Sequence, residues 1–309
     1  MIYLRKTSEY FKSSLYLIFF PIFKYIVILF FKIRGTKLRG AFYNSLSYVK
    51  GLSYFCVNTG KELFIVNLED KEIGKGLFCK GLFDYDKLLN AVKIIKDNNA
   101  NFDTELLVDV GANIGTISVP AITRNEFNSV VAFEPNPENF KLLRNNLIIN
   151  NIEDKFEIYQ CAVGNIEGDL DLELSNNNSG DHRISVSNEN GLYDEGLRNR
   201  IKVKSITLDS ILNNIEPNKT LFWIDVQGYE GHVLSGANEA LKNKVPVVIE
   251  FWPYGLNRTD GFNKLKSSLS LYSGFYDLSS PNVFYDISKL DFYFTKIGLD
   301  GNFVDLLVL

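Results

Sequence analysis

Acids standing at the ends of apolar runs, each followed by a glycine turn, are the residues of this chain best placed to do chemistry. In Leu106-Leu107-Val108-Asp109-Val110-Gly111-Ala112-Asn113-Ile114-Gly115 an apolar run carries Asp109 and then turns through two glycines. Gly111 suits a sharp turn, and Gly115 a close approach of helix to strand. The free N–H groups of the following helix would face the crevice beyond the strand end. The spacing excludes two common phosphate binders. A dinucleotide fingerprint wants G-x-G-x-x-G, which Ala112-Asn113 breaks, and a P-loop ends in Gly-Lys-Ser/Thr, which Gly115-Thr116-Ile117 does not supply. What remains is a nucleoside without a phosphate, beside a carboxylate that tolerates positive charge. S-adenosylmethionine, with its sulfonium and α-ammonium, meets that description.

A second apolar run, Ser129–Phe133, ends on Glu134-Pro135-Asn136-Pro137. An acid at this strand tip is placed to accept hydrogen bonds from ribose hydroxyls. Asn136 suits a helix cap and Pro137 the first helical position, and Phe140, Leu143, Leu147 and Ile148 recur at helical spacing. The candidate donor contacts are therefore Asp109, Gly111, Ala112, Asn113, Gly115, Glu134 and Pro135. A third run, Leu221-Phe222-Trp223-Ile224-Asp225, again ends on an acid and turns at Gly228, and Glu230 opens a helix with Val233, Leu234, Ala237 and Leu241 on one face. Glu250 ends the following apolar run at the same sheet edge. Such carboxylates order an ammonium, hold a substrate hydroxyl or bind a metal, and the spacing does not choose among these. A methyl acceptor hydroxyl gains from a base. His182, in the polar loop, and His232, just after Glu230, are the two histidines to consider. Asp225 is the preferred residue for positioning the acceptor hydroxyl or the donor ammonium. Trp252-Pro253-Tyr254 either stacks on a sugar ring or closes the core.

The elements that must hold these residues follow from periodicity. Ser53–Asn58 and Glu62–Asn67 around Thr59-Gly60-Lys61 predict a β-hairpin, and Tyr85–Ile95 a helix with Leu88, Leu89, Val92 and Ile95 inward. From Glu105 strands alternate with helices, as in a mostly parallel, doubly wound sheet. Further strands are expected at Lys155–Val163, Asp169–Leu174, Arg200–Ile206, Thr220–Val226 and Val245–Phe251, with a long polar loop over Ser175–Leu197. The tail from Phe275, with Phe292 and Phe294 alternating, is expected to close the sheet as antiparallel strands. This divides the chain into a basic apolar segment (1–50), a covering hairpin and helix (51–100) and the catalytic α/β domain (101–309).

The 309 residues, 46% hydrophobic and 23% charged, are enough for one large core, and a net charge of −4 makes nucleic acid an unsuitable partner. Cys56, Cys79 and Cys161 are widely spaced and never form C-x-x-C, so they read as buried thiols of a reducing compartment, with no metal site. The first fifty residues carry nine basic side chains against one acid, leaving −12 for the remainder. Within them Leu15–Phe31 is apolar apart from Lys24, at the short limit for a spanning helix, and no small-residue cleavage site follows. Two readings fit: association with the anionic inner face of the cell membrane from the cytoplasm, interfacial or inserted, or packing on the domain or a second subunit.

The ordered series Asp109–Gly115, Phe133–Pro137 with Phe140, Leu143 and Asn146, Ala162-Val163-Gly164, Gly180–Ile184, Leu208-Asp209 and Ile224–Glu230 with Leu234 and Gly236 resembles the FkbM-type methyltransferases over residues 100–252. The resemblance implies a Rossmann-like class I methyltransferase fold and S-adenosylmethionine as donor. It also implies transfer to oxygen, often a hydroxyl of a sugar, a lipid-linked glycan or a polyketide. It adds Ala162 to the donor contacts and points to Asp225, His182 and Glu230 as catalytic. Gln227 departs from the pattern, since the family usually carries a second acid before the glycine. A nicotinamide-dependent oxidoreductase and a catalytically silent scaffold of a glycan-assembly complex are the alternative readings. The missing middle glycine argues against the first.

Overall fold

The computed structural model describes residues 36–309 other than 177, 188, 213 and 214. Leu15–Phe31, the segment assigned to a membrane or to protein packing, lies outside the described residues. Among those residues no helix is long and apolar enough to cross a membrane.

The central sheet has eight strands in the order β13-β12-β14-β11-β10-β3-β4-β5. Five are parallel: β3 (Leu106–Val110), β4 (Ser129–Phe133), β5 (Phe156–Tyr159), β10 (Thr220–Ile224) and β11 (Val247–Phe251). These strands read as continuous apolar runs because both sheet faces are covered. Leu107, Ala132, Trp223 and Val248 face one core with Leu88, Val92 and Ile95 of the helix Tyr85–Asn98. Val108, Phe133, Phe222 and Ile249 face the other, with Val233, Leu234, Ala237, Leu241 and Leu265. The chain enters at β3, winds outward to β5 and returns through β10 on the other side of β3. The order therefore reverses between β3 and β10, and a crevice opens beyond their carboxyl ends. This is the expected Rossmann-like sheet.

Several local expectations change. The run 155–163 divides: β5 ends at Tyr159, and β6 (Ala162–Val163) joins a separate sheet of order β6-β9-β7-β8 with β7 (Gly168–Glu173), β8 (Arg183–Ile184) and β9 (Arg200–Ile206). The long loop thus contains a short strand. As expected, the carboxyl-terminal strands β12 (Gly274–Asp277), β13 (Phe284–Asp286) and β14 (Val304–Val308) form an antiparallel edge, with β14 lying between β11 and β12. Phe292 and Phe294 lie on the helix Leu290–Ile297, not on a strand: Phe294 stacks on Phe262 while Phe292 is exposed. Leu89 and Ile148 also face solvent, and of the cysteines only Cys161 is buried. The helix opened by Glu230 breaks after Ser235 and resumes at Asn238, yet its four apolar residues are all buried.

The hairpin of β1 (Tyr54–Asn58) and β2 (Leu63–Asn67) is pinned to the helix Pro137–Ile149. Asn146 Oδ1 accepts the Ile65 N–H at 2.7 Å while its Nδ2 donates to the Ile114 carbonyl at 2.9 Å, so one buried amide joins hairpin, helix and first glycine loop.

Gly111 has φ +89°, and a Cβ there would lie 1.9 Å from the Asp225 carbonyl oxygen, whereas Gly60, at φ +101°, has nothing within 4 Å of the same position. Gly111→Ala should lower folding stability by about 2 kcal/mol or more and Gly60→Ala by only about 1 kcal/mol, because only the first adds a backbone clash to the left-handed strain. Urea unfolding of both variants measures the difference, and equal losses would contradict the close approach.

Candidate functional site

The first glycine loop is shaped by its backbone. Gly111, Asn113 and Gly115 all have positive φ, and asparagine is among the side chains that tolerate this. The N–H groups of Gly111 and Ala112 both donate to the Phe133 carbonyl at 3.0 Å. Asn113 N–H donates to Glu134 Oε2 at 2.9 Å and Asn136 N–H to Glu134 Oε1 at 2.8 Å. Each oxygen of Glu134 is thus fixed by one backbone donor, and the Asn139 side chain adds a further favourable contact with the carboxylate. The Asn136 side chain caps the next helix, with Pro137 at its start, as the sequence predicts.

Two cavities meet at this loop. One is lined by Gly111, Asn113, Glu134, Pro135, Ala162, His182, Asp225 and Gln227 among others. The second is lined by Asp109, Ala112, Thr116, Trp223 and Asp305, and shares Gly111, Asn113, Gly180 and Asp225 with the first. Asp109 and Glu134 thus line adjacent cavities that share Gly111, Asn113, Gly180 and Asp225 as wall residues, and seven of the eight candidate donor contacts line one or both. Gly115 does not; a Cβ there would press on Val119 and Leu143, so its task is helix packing. Burial pushes the carboxyls of Asp109 and Glu134 up to about 7. Asp109 is 2% exposed; the buried Ser118 hydroxyl is near enough to favour its ionised form, but no protein group is in hydrogen-bond geometry with its Oδ2. An orphaned carboxylate oxygen of this kind is satisfied by a cationic or donor group of a ligand.

The second loop follows β10. Asp225 reaches both cavities, and burial raises its carboxyl to about 7. Gln227 Nε2 donates to Asp225 Oδ1 and to Glu250 Oε2, both at 2.9 Å. Glu230 is not on either cavity wall. Its Oε1 accepts the N–H groups of Val226 at 3.2 Å and Gly228 at 3.1 Å, and burial lifts its carboxyl to about 8. Glu230, expected to be catalytic, thus supports the Asp225–Gly228 turn and does not line the cavities.

His182 lies on the wall of the first cavity, but its Nδ1 accepts the Ser175 N–H at 3.0 Å. A backbone N–H is only a donor, so the neutral ring carries its proton on Nε2 and has no free lone pair. Burial lowers its pKa to about 4, which also opposes protonation. The expected role as base does not fit this geometry. His232 stacks flat on Tyr229 at 4.1 Å, with Nε2 2.9 Å from the Thr259 carbonyl. Trp252 is covered by Arg183 at 4.6 Å, and its indole N–H donates to the Gly301 carbonyl, so it closes the core.

The polar loop is fastened by contacts to Asp70, Asn139 and Ser179, which no sequence motif points to, together with Asn113. Ser179 carbonyl accepts from Asn113 Nδ2 at 2.8 Å and Asn139 Nδ2 at 2.9 Å. Its N–H donates to the buried Asp70 at 2.9 Å, and its hydroxyl donates to the same carboxylate. Asp70 also accepts the N–H groups of Glu72 and Gly74, so it ties the covering segment to the loop. Further on, buried Arg183 pairs with Asp181 and Glu195, and Arg198 with Asp181. Asp70 and Ser179 stand 109 residues apart, and no local pattern joins them.

A family model described as the methyltransferase FkbM domain matches residues 109–265. Methyltransferase sdnD of Sordaria araneosa is 29% identical over 175 residues, covering 48% of this chain and 68% of that protein. Hexuronic acid methyltransferase AglP of Haloferax volcanii is 28% identical over 150 residues, covering 48% of this chain and 56% of AglP, little more than half its length. The solved methyltransferase FkbM from Methylobacillus flagellatus is 17% identical with a TM-score of 0.39, covering 67% of this chain and 44% of that one.

Asp70→Ala should free the loop, because four donors lose one acceptor. Amide exchange over residues 176–185 should accelerate, with a stability loss of about 1–3 kcal/mol. Unchanged exchange there would show that Asp70 does not hold the loop.

Proposed function

The chain belongs to the FkbM methyltransferase family, whose methyl donor is S-adenosylmethionine, and on that premise we propose an O-methyltransferase acting on a hydroxyl of a glycan, lipid-linked saccharide or related metabolite. One observation carries this reading: Asp109, Glu134 and Asp225 stand at adjacent strand ends and line two neighbouring cavities that both reach Gly111 and Asp225. The orphaned Asp109 oxygen and the glycine cradle fit a cationic nucleoside. When bound, S-adenosylmethionine supplies a methyl group on a sulfonium, already a good leaving group. Glu134 holds the ribose hydroxyls, Asp109 compensates positive charge, and Pro135 and Ala162 form apolar walls beside Ala112 and Asn113. Asp225 positions the acceptor hydroxyl, and the fastened loop excludes water. The protein's task is thus alignment and desolvation more than covalent chemistry.

The sugar acceptor is supported by the similarity to the hexuronic acid methyltransferase AglP. Residues 101–309 would be the catalytic unit, with 51–100 covering it. The basic residues of 1–50 would bring it to the cytoplasmic face of an anionic membrane, where a lipid-linked acceptor is held. A nicotinamide enzyme does not fit the family.

S-adenosylhomocysteine, but not NAD, should raise the melting temperature, and Glu134→Ala should weaken that binding about 10–100-fold through loss of charged hydrogen bonds. Affinity should fall as pH drops through about 7, because the raised carboxyls of Asp109 and Glu134 then take up protons. Labelled methyl donor incubated with membrane and soluble glycan fractions should yield an alkali-stable methyl ether. Donor binding without transfer to any fraction would favour the scaffold.

A further inference from the structure

The cleft contains a proton acceptor that the histidines do not provide. Gln227 Nε2 spends both of its hydrogens on two carboxylates, Asp225 Oδ1 and Glu250 Oε2, each at 2.9 Å. Asp225 lies on the wall of both cavities, whereas Glu250, 7% exposed, lies on neither. Among the described residues, no protein group hydrogen-bonds Asp225 Oδ2. The cavity beside it also holds the buried, unpartnered Oδ2 of Asp109, so this side of the cleft is built to meet something bound. Gln227 keeps its side chain in place from a left-handed backbone, φ +55°, next to Gly228 at +97°. Strain of this kind persists where the surroundings impose it.

We propose that Asp225 and Glu250, joined through the Gln227 amide, act as a two-carboxylate pair that takes the proton of the acceptor hydroxyl, with Asp225 touching the acceptor and Gln227 as a positioning residue. This rests on the methyltransferase reading and deepens it by assigning the base. Before reaction the pair shares one proton and carries one negative charge. The acceptor oxygen forms a bond to the methyl carbon, the carbon–sulfur bond breaks with its electrons to sulfur, and the hydroxyl proton passes to Asp225. The sulfonium becomes a neutral thioether as the pair becomes neutral, so the positive charge is cancelled inside the cleft rather than released across it.

The electrostatics of the surroundings support one proton on the pair. Asp225 faces Asp109 on β3, Glu250 on β11, Asp305 on β14 and Glu230 behind the turn. Asp84 and Lys87 come from the covering helix and its cap, and Lys87 is the one cation among these groups. Its Nζ is 2.6 Å from Asp305 and 3.0 Å from Asp84, so its charge is already shared. Burial, and for Glu250 the neighbouring Asp225 carboxylate, hold both members of the pair above the ordinary carboxylate range. Two buried like charges at one donor do not ionise together near neutrality.

The test uses the full chain and two independent readouts. Carboxyl-¹³C-labelled Asp and Glu report the titration by NMR without any acceptor, and initial rates of methyl transfer report the working base. In the native protein Asp225 and Glu250 should titrate as a linked pair, and kcat/KM should rise with pH to a plateau above about 7. Gln227→Leu removes the shared donor and should move both midpoints up by about one unit, so the rate falls about tenfold at pH 6.5 and recovers at pH 9. Gln227→Glu adds a third carboxyl and should move them at least as far. Asp225→Asn should cut transfer by about 100-fold or more at every pH, while S-adenosylhomocysteine still binds. Independent titration of the two carboxyls, or an unshifted midpoint in Gln227→Leu, would overturn the pair. A missing methyl product beside a linked titration would instead refute the methyltransferase reading alone.

Discussion

The close approach of Gly111 to the carbonyl of Asp225 is the contact on which the site depends. It brings the loop after β3 against the loop after β10, the two parallel strands between which the strand order reverses. Any side chain at 111 would push the loops apart, and with them the acids they carry. A crevice at such a reversal arises because the neighbouring connections leave in opposite directions. Here the crevice is floored by glycine and rimmed by Asp109, Glu134 and Asp225. The cleft is therefore a product of sheet topology, and its chemistry comes from three strand tips.

A second constraint is electrostatic. Asp109, Glu134, Glu230 and Glu250 are all less than 10% exposed, and burial opposes the ionised form of each. The protein divides the cost differently at each position. Backbone N–H groups satisfy Glu134 and one oxygen of Glu230, an amide serves Asp225 and Glu250 together, and Asp109 keeps an oxygen without a partner. Acids satisfied by backbone hold loops in place. Asp109 lines a cavity, where a ligand can complete it, whereas the second oxygen of Glu230 is buried without a partner away from both cavities.

The polar loop shows how distant segments finish the site. Its Ser179 is gripped by Asp70 from the covering segment and by Asn113 and Asn139 from the first glycine loop and the next helix. The hairpin and helix before residue 100 thus do more than shield apolar surface; they set the wall on which His182 sits. Arg183, enclosed by Asp181, Glu195 and Trp252, anchors the other end of that wall.

Much of this architecture is local in origin, and the sequence by itself determined it. Apolar runs ending on acids fixed β3, β4, β10 and β11, the glycines fixed the turns, and Asn136-Pro137 fixed a helix start, because each follows from backbone sterics and burial within a few residues. Strand partners, by contrast, are chosen by contacts between remote segments. Only the tertiary structure divided 155–163 between two sheets, inserted β14 beside β11 and put Phe292 and Phe294 on a helix, whose aromatic spacing is ambiguous over a few residues. It also decided which polar groups met. His182 became a hydrogen-bond acceptor for Ser175, Glu230 turned to the loop backbone, and Gln227 fell between two carboxylates. A side chain's type states what bonds it can make; the partners it meets in the folded chain decide which it does.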